Sequence, residues 1–120
     1  MANRRLNLSK EGKDLLESIA VSLDIERVNA IKLSLAKGLA SDNQDQIDTS
    51  STPKWLIPDG IIKDKEFLMF KHLVIHKAGT VLNEDDIQKR MLFYIEKGIR
   101  VIHQDLKNKN SLDDSRFVIL

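Results

Sequence analysis

The chain has 120 residues, with 19 basic and 18 acidic side chains, a net charge of +1, 42% apolar residues and few aromatics. Those figures describe one globular domain with a single modest core and exclude a disordered or fibrous chain. Cysteine is absent, which excludes disulfides, thiolate zinc sites and any covalent sulfur carried on this chain.

The first element is a short alternating segment, Asn3-Arg4-Arg5-Leu6-Asn7-Leu8. In an extended strand Leu6 and Leu8 share one face while Arg5 and Asn7 point the other way, so guanidinium and amide groups stand on an apolar footing. Ser9 then offers an N-cap hydroxyl, Glu11 complements the dipole of the first turn, and the capping box fails because Gly12 stands where Glu or Gln is needed. Leu15, Leu16, Ile19, Ala20 and Leu23 recur at three- and four-residue spacing and predict a helix over Lys10–Leu23. Asp24 is the expected N-cap of a second helix reaching about Ala40. Its apolar set, Val28, Ile31, Leu33, Leu35, Ala36 and Leu39, spreads wider than one stripe. A helix that apolar must be covered on more than one side, either by the C-terminal half or by a second subunit.

Residues 41–54 are polar and acidic, with an isolated Ile47 and Pro53 at the end, and read as a flexible connector. Trp55-Leu56-Ile57 is a brief apolar anchor, and Pro58-Asp59-Gly60 is a turn in which proline fixes φ and glycine accepts a positive value. A third helix is predicted over Asp64–Lys77, ending at Ala78-Gly79. A fourth is predicted from Glu84 to about Lys107, capped by Asn83 and with Glu84, Asp85 and Asp86 favoured by the macrodipole in its first turn. The closing Phe117-Val118-Ile119-Leu120 is expected to dock or pair. The expected organisation is therefore a single domain over 1–120: a strand-helix-helix unit over 1–40, the connector, and a helical part over 55–120. The fold class is mainly α, with a ribbon-helix-helix-like start followed by two further helices. In ribbon-helix-helix proteins two chains pair such strands, and the polar face of the ribbon enters a nucleic-acid groove.

No catalytic constellation is evident. His72 and His76, four apart, are the nearest approach to a metal pair, but His72-Leu73-Val74-Ile75-His76 lacks the glutamate of a metalloprotease motif and any third ligand. Phosphate loops and nucleophile elbows are missing as well, so neither enzymatic activity nor a cofactor or metal is expected. The remaining candidates are cations. Residues 1–40 carry seven basic and five acidic groups, 41–60 one and four, and 61–120 eleven and nine. Arg4, Arg5, Lys10 and Lys13, with Asn7, gather at the start and could meet a phosphate backbone. Lys63, Lys65, Lys71 and Lys77 form a second set, and Lys89, Arg90, Lys97 and Arg100 a third. No apolar run approaches the roughly 20 residues of a membrane span. The start Met1-Ala2-Asn3-Arg4-Arg5 lacks an apolar signal core, so a cytoplasmic, membrane-free location is expected.

Arg5-Leu6-Asn7-Leu8-Ser9-Lys10-Glu11 resembles the opening of the small E subunit of the bacterial DNA phosphorothioation system, the DndE family. Ile31-Lys32-Leu33-Ser34-Leu35 is similar to that family's leucine-rich alternation, and Tyr94-Ile95-Glu96-Lys97-Gly98-Ile99-Arg100-Val101-Ile102 resembles its late Arg-Gly helix. Two departures stand out: the family's Thr-Gly-Leu-Thr-Pro-Asn turn is here Val21-Ser22-Leu23-Asp24-Ile25-Glu26, and its late histidine is Tyr94. The resemblance implies a mostly helical homo-oligomer, a dimer or tetramer, that binds duplex DNA with a preference for nicks. It would serve as a non-catalytic accessory of the modification complex, part of a restriction-modification system whose other subunits carry the sulfur and ATP chemistry. On that reading Arg4, Arg5, Asn7, Lys10 and Lys13 contact DNA, while Leu6, Leu8, Val28, Ile31 and Leu35 join the subunits. The alternatives are a ribbon-helix-helix transcriptional regulator or antitoxin, in which Arg5 and Asn7 read base edges, and an adaptor that binds only proteins.

Overall fold

The structure, a computed structural model, describes residues 6–41, 46–58 and 60–108. Its elements in order are β1 (Asn7–Leu8), α1 (Lys10–Leu23), α2 (Arg27–Ala40), β2 (Trp55–Leu56), α3 (Asp64–Ala78) and α4 (Glu84–Asn108). The chain is mainly helical and opens as strand, helix, helix, as its periodicity predicts. Arg4, Arg5 and the tail Phe117–Leu120 lie outside the described residues.

The longest helix, α4, is the axis of the molecule, and α1, α2 and α3 each pack against it. Its middle is buried on every side: Tyr94, Ile95, Glu96, Lys97, Gly98 and Ile99 are all buried, and Ile87, Met91 and Ile102 extend the core to either end. An amphipathic surface helix shows one apolar stripe, so burial of six consecutive residues means neighbours all round. Leu16 and Ile19 of α1 and Phe67, Phe70 and Val74 of α3 join one cluster with them.

The approach of α2 is set by glycine. A Cβ on Gly98 would stand 1.6 Å from the Ser34 carbonyl oxygen, and one on Gly38 would stand 2.0 Å from the Tyr94 carbonyl oxygen. The two helices therefore cross antiparallel with their backbones touching, and Ala30, Ile31, Ser34, Leu35 and Gly38 lie buried against α4. Lysines close the C-terminal end of α2, where carbonyls lack intrahelical partners: Lys77 Nζ donates to the Leu39 oxygen at 2.7 Å and Lys97 Nζ to the Ser41 oxygen at 3.0 Å.

This arrangement decides several expectations. Leu6, Leu8, Ile31 and Leu35, expected at a subunit interface, are core residues of the single chain, at 4%, 0%, 0% and 0% exposure, and Val28 is half-buried. The wide apolar surface of α2 is covered by α4 of the same molecule, the first of the two coverings its sequence leaves open. β1, whose counterpart in ribbon-helix-helix proteins pairs with a second chain, here pairs antiparallel with β2, Asn7 opposite Leu56 and Leu8 opposite Trp55, and Ile57 N–H donates to the Leu6 oxygen at 2.8 Å. Asp24, expected to cap α2, instead ends α1 in a left-handed conformation (φ 55°, ψ 50°), a role short polar side chains tolerate, and α2 starts at Arg27 after Glu26.

Finally, the part of the connector described, 46–54, is tied down. Arg100 Nη2 donates to the Asp48 oxygen at 3.0 Å, and Ser51 binds the first turn of α1.

Gly98→Ala should destabilise the protein by roughly 3 kcal/mol, the upper range for overpacking a tight contact. Gly79→Ala, which adds no clash but sits at φ 71°, should cost only about 1 kcal/mol. Urea denaturation distinguishes the two, and equal small losses would show that α2 and α4 do not touch.

Candidate nucleic-acid interface

The start of α1 is built around a carboxylate supplied from far along the chain. Ser9 caps the helix, its hydroxyl accepting from Gly12 N–H at 2.9 Å. In a capping box the third helical residue, here Gly12, would carry the glutamate that accepts the cap's own N–H. Glu96 of α4 takes that part: Ser9 N–H donates to its Oε2 at 2.8 Å and Ser9 Oγ to its Oε1 at 3.0 Å. Gly12 is glycine because a Cβ there would lie 2.2 Å from Glu96 Oε1. Arg100 completes the group, with Nη1 2.9 Å from Glu96 Oε1 and Nη2 3.6 Å from Glu11.

The first amides of α1 are consequently all engaged. Lys10 N–H donates to the Ser51 oxygen at 3.3 Å, Glu11 N–H to Ser51 Oγ at 2.9 Å, Gly12 N–H to Ser9 Oγ and Lys13 N–H to the Ser9 oxygen at 2.9 Å. This helix start has no spare donors for a phosphate, and any anion must be met by side chains.

Asn7 is exposed on β1, and Lys10 and Lys13 follow on the first turns of α1, so the three are brought to the same end of the molecule. Lys10 reaches Asp14 at 2.9 Å, and that hydrogen bond, reinforced by the opposite charge, holds its amine above the ordinary lysine range. Lys13 Nζ lies 5.5 Å from the centre of the Trp55 ring, and the Arg27 guanidinium 5.3 Å from the same ring. Glu17 stands between the two cations, 3.9 Å from Lys13 and 3.0 Å from Arg27. Four residues from α1, α2 and β2 thus form a cation-aromatic cluster that pairwise spacing along the chain does not reveal. Arg27, Trp55 and Glu17 are the members sequence reasoning missed. Arg27 carries no pattern of its own in the sequence, Trp55 reads as an apolar anchor, and only the pairing of β2 with β1 joins them.

The later cations divide sharply. Lys32 pairs with Glu66 at 2.9 Å, Lys37 with Asp105 at 3.8 Å and Lys71 with Glu84 at 2.7 Å. Lys77 and Lys97 close α2, and Arg100 serves Glu96, so these residues have structural work. Lys65, Lys89 and Arg90 are exposed, and among the described residues none of them forms an ion pair. His72 and His76 are both exposed on α3, and no group of three or more potential metal ligands occurs among the described residues. No described helix is long and apolar enough to cross a membrane. Comparison with protein-family models, with curated proteins and with solved structures finds no match to this chain.

Glu96→Ala, which strands the Arg100 guanidinium and the Ser9 amide, should cost about 3 kcal/mol or more. Gly12→Ala should also destabilise in the native background, yet do so far less in the Glu96→Ala background, where the clashing carboxylate is gone. Additive losses in that double-mutant cycle would rule out the direct contact.

Proposed function

We propose that this protein is a non-catalytic DNA-binding accessory subunit of a DNA phosphorothioate-modification complex, acting on duplex DNA, with a preference for nicked sites, through backbone phosphates. It needs no cofactor and no membrane; its partners are DNA, further copies of itself and the subunits that carry the sulfur and ATP chemistry. The observation that carries the reading is the meeting of Lys13 and Arg27 over Trp55, with Lys10 one turn before Lys13 and exposed Asn7 on the strand that precedes it. It adds to the resemblance of the 5–11 segment and of the late helix to the DndE family.

Physically, the cluster is suited to a phosphate rather than to a base edge. The exposed pairs that Glu17 makes with Lys13 and Arg27 are each worth about 1 kcal/mol at most, so a phosphodiester can displace the carboxylate and take both cations as charge-assisted donors. Trp55 holds the two cations near each other, which lowers the entropy lost when they close on an anion. Copies of the chain would associate through surfaces other than the apolar side of α2, which is used up within the protomer.

Lys13→Ala and Arg27→Ala should each reduce the slope of log K against log salt by about one unit for duplex DNA. Glu17→Gln should raise affinity, because the competing carboxylate is lost. Fluorescence anisotropy on nicked, intact and operator-like duplexes at several salt concentrations measures both. A preference of about 10³ for one sequence over random duplex would favour the regulator instead, and absence of binding at low salt would end the DNA reading.

A further inference from the structure

Most cations of this protein are already engaged, by carboxylates, backbone carbonyls or the Trp55 ring. A few exposed cations differ, and on one short stretch of α4 two of them stand beside a half-exposed aromatic ring. Lys89 and Arg90 are both exposed, and among the described residues neither has an ion-pair partner. Asp85 and Asp86 stand one turn earlier, yet neither closes a bridge to them. Phe93, at four residues from Lys89 and three from Arg90, lies on the same side of the helix. It is 42% exposed and rests edge-on against Tyr94, with ring centres 5.5 Å apart and planes at 68°.

Among the described residues nothing covers this half-exposed aromatic beside two unengaged cations, and the α4 core is completed by Ile87, Met91, Ile95 and Ile99. Chemically the three side chains match a nucleic-acid strand: cations for the phosphodiester oxygens, and a ring face or edge for the sugar or an exposed base. Position supports the same partner. Continuing along that side of α4, one turn beyond Phe93, is Glu96, which grips Ser9, the residue next to Lys10. Lys89 to Glu96 is seven residues, about 10 Å of helix rise, or three steps of a DNA strand at about 3.4 Å each.

We infer that Lys89, Arg90 and Phe93 form a second nucleic-acid contact zone, on the α4 turns that precede the Glu96–Ser9 junction beside Lys10, which takes the phosphate backbone and an adjoining sugar or base. This rests on the DNA-binding reading and gives the site its second half. Unlike the cations of the first zone, Lys89 and Arg90 need not be released from an acid before they engage, so they contribute to the salt dependence in full.

The test is anisotropy on the full chain with labelled duplex and single-stranded DNA of equal length across a salt series. The variants compared with the unaltered protein are Lys89→Gln/Arg90→Gln, Phe93→Ala and, as a control removing the same charge elsewhere, Lys65→Gln/Lys107→Gln. All these positions are exposed, and circular dichroism confirms that each variant is folded. The Lys89/Arg90 variant should lose close to two units of salt slope, and the Lys65/Lys107 variant almost none. Phe93→Ala should weaken binding at least about fivefold with the slope unchanged. Equal losses in the two double variants would mean that net charge alone is sensed and would overturn the zone. So would wild-type slope and affinity in both α4 variants while Lys13→Ala and Arg27→Ala still weaken binding, a result that leaves the first cluster standing. If the unaltered protein binds neither DNA at low salt, the reading and this extension fall together.

Discussion

The carboxylate of Glu96 is the point on which the architecture turns. Removing an ionised carboxylate from water costs several kcal/mol unless donors replace its hydration, and here the Ser9 amide, the Ser9 hydroxyl and the Arg100 guanidinium supply them. The price of burial is met by fixing the strand-to-helix junction onto the middle of α4. That junction in turn determines where β1 lies, so Leu6 and Leu8 enter the core and β1 finds β2. Arg100 carries the same constraint outward to the connector through Asp48.

A second constraint, the bare backbone contact of α2 with α4 at Gly38 and Gly98, explains how the apolar side of α2 is covered within one chain. Bringing two helices this close multiplies dispersion contacts along the crossing and hides the apolar side of α2 without help from another copy. The close crossing also brings Lys97 of α4 to the C-terminal carbonyls of α2, which Lys77 of α3 reaches from the other side. Lysines that look in a charge count like candidates for a polyanion are in fact helix caps.

Sorting cations by what already engages them is what gives the functional reading its shape. Those tied to backbone carbonyls or to a buried acid are poor contacts, because a phosphate would have to break native structure to recruit them. Lys10, Lys13 and Arg27 are held only by exposed acids and an aromatic ring, and Lys89 and Arg90 by no ion pair at all among the described residues. A balanced chain with net charge +1 can thus keep a few cations that its native structure does not hold, without any excess in composition.

Much of the local structure was legible from residues alone. Lys10–Leu23 agrees at both ends because a serine cap and a three-four apolar spacing act within one turn, and Gly79 and Asn83 end α3 and start α4 for equally local reasons. Asp24 misled because an aspartate serves a helix start and a left-handed stop equally well. What no local rule could supply was the partner of each surface: that Glu96 fills the space left by Gly12, eighty-four residues earlier; that α4 rather than a second chain covers α2; and that Trp55 meets Lys13 and Arg27. The sequence by itself determined the helices, the starts of α1 and α4 and the cationic start, since those depend on neighbours three or four residues apart. The tertiary structure alone decided which cations are engaged and which faces are closed, since burial and ion pairing depend on segments that meet only when the whole chain has packed.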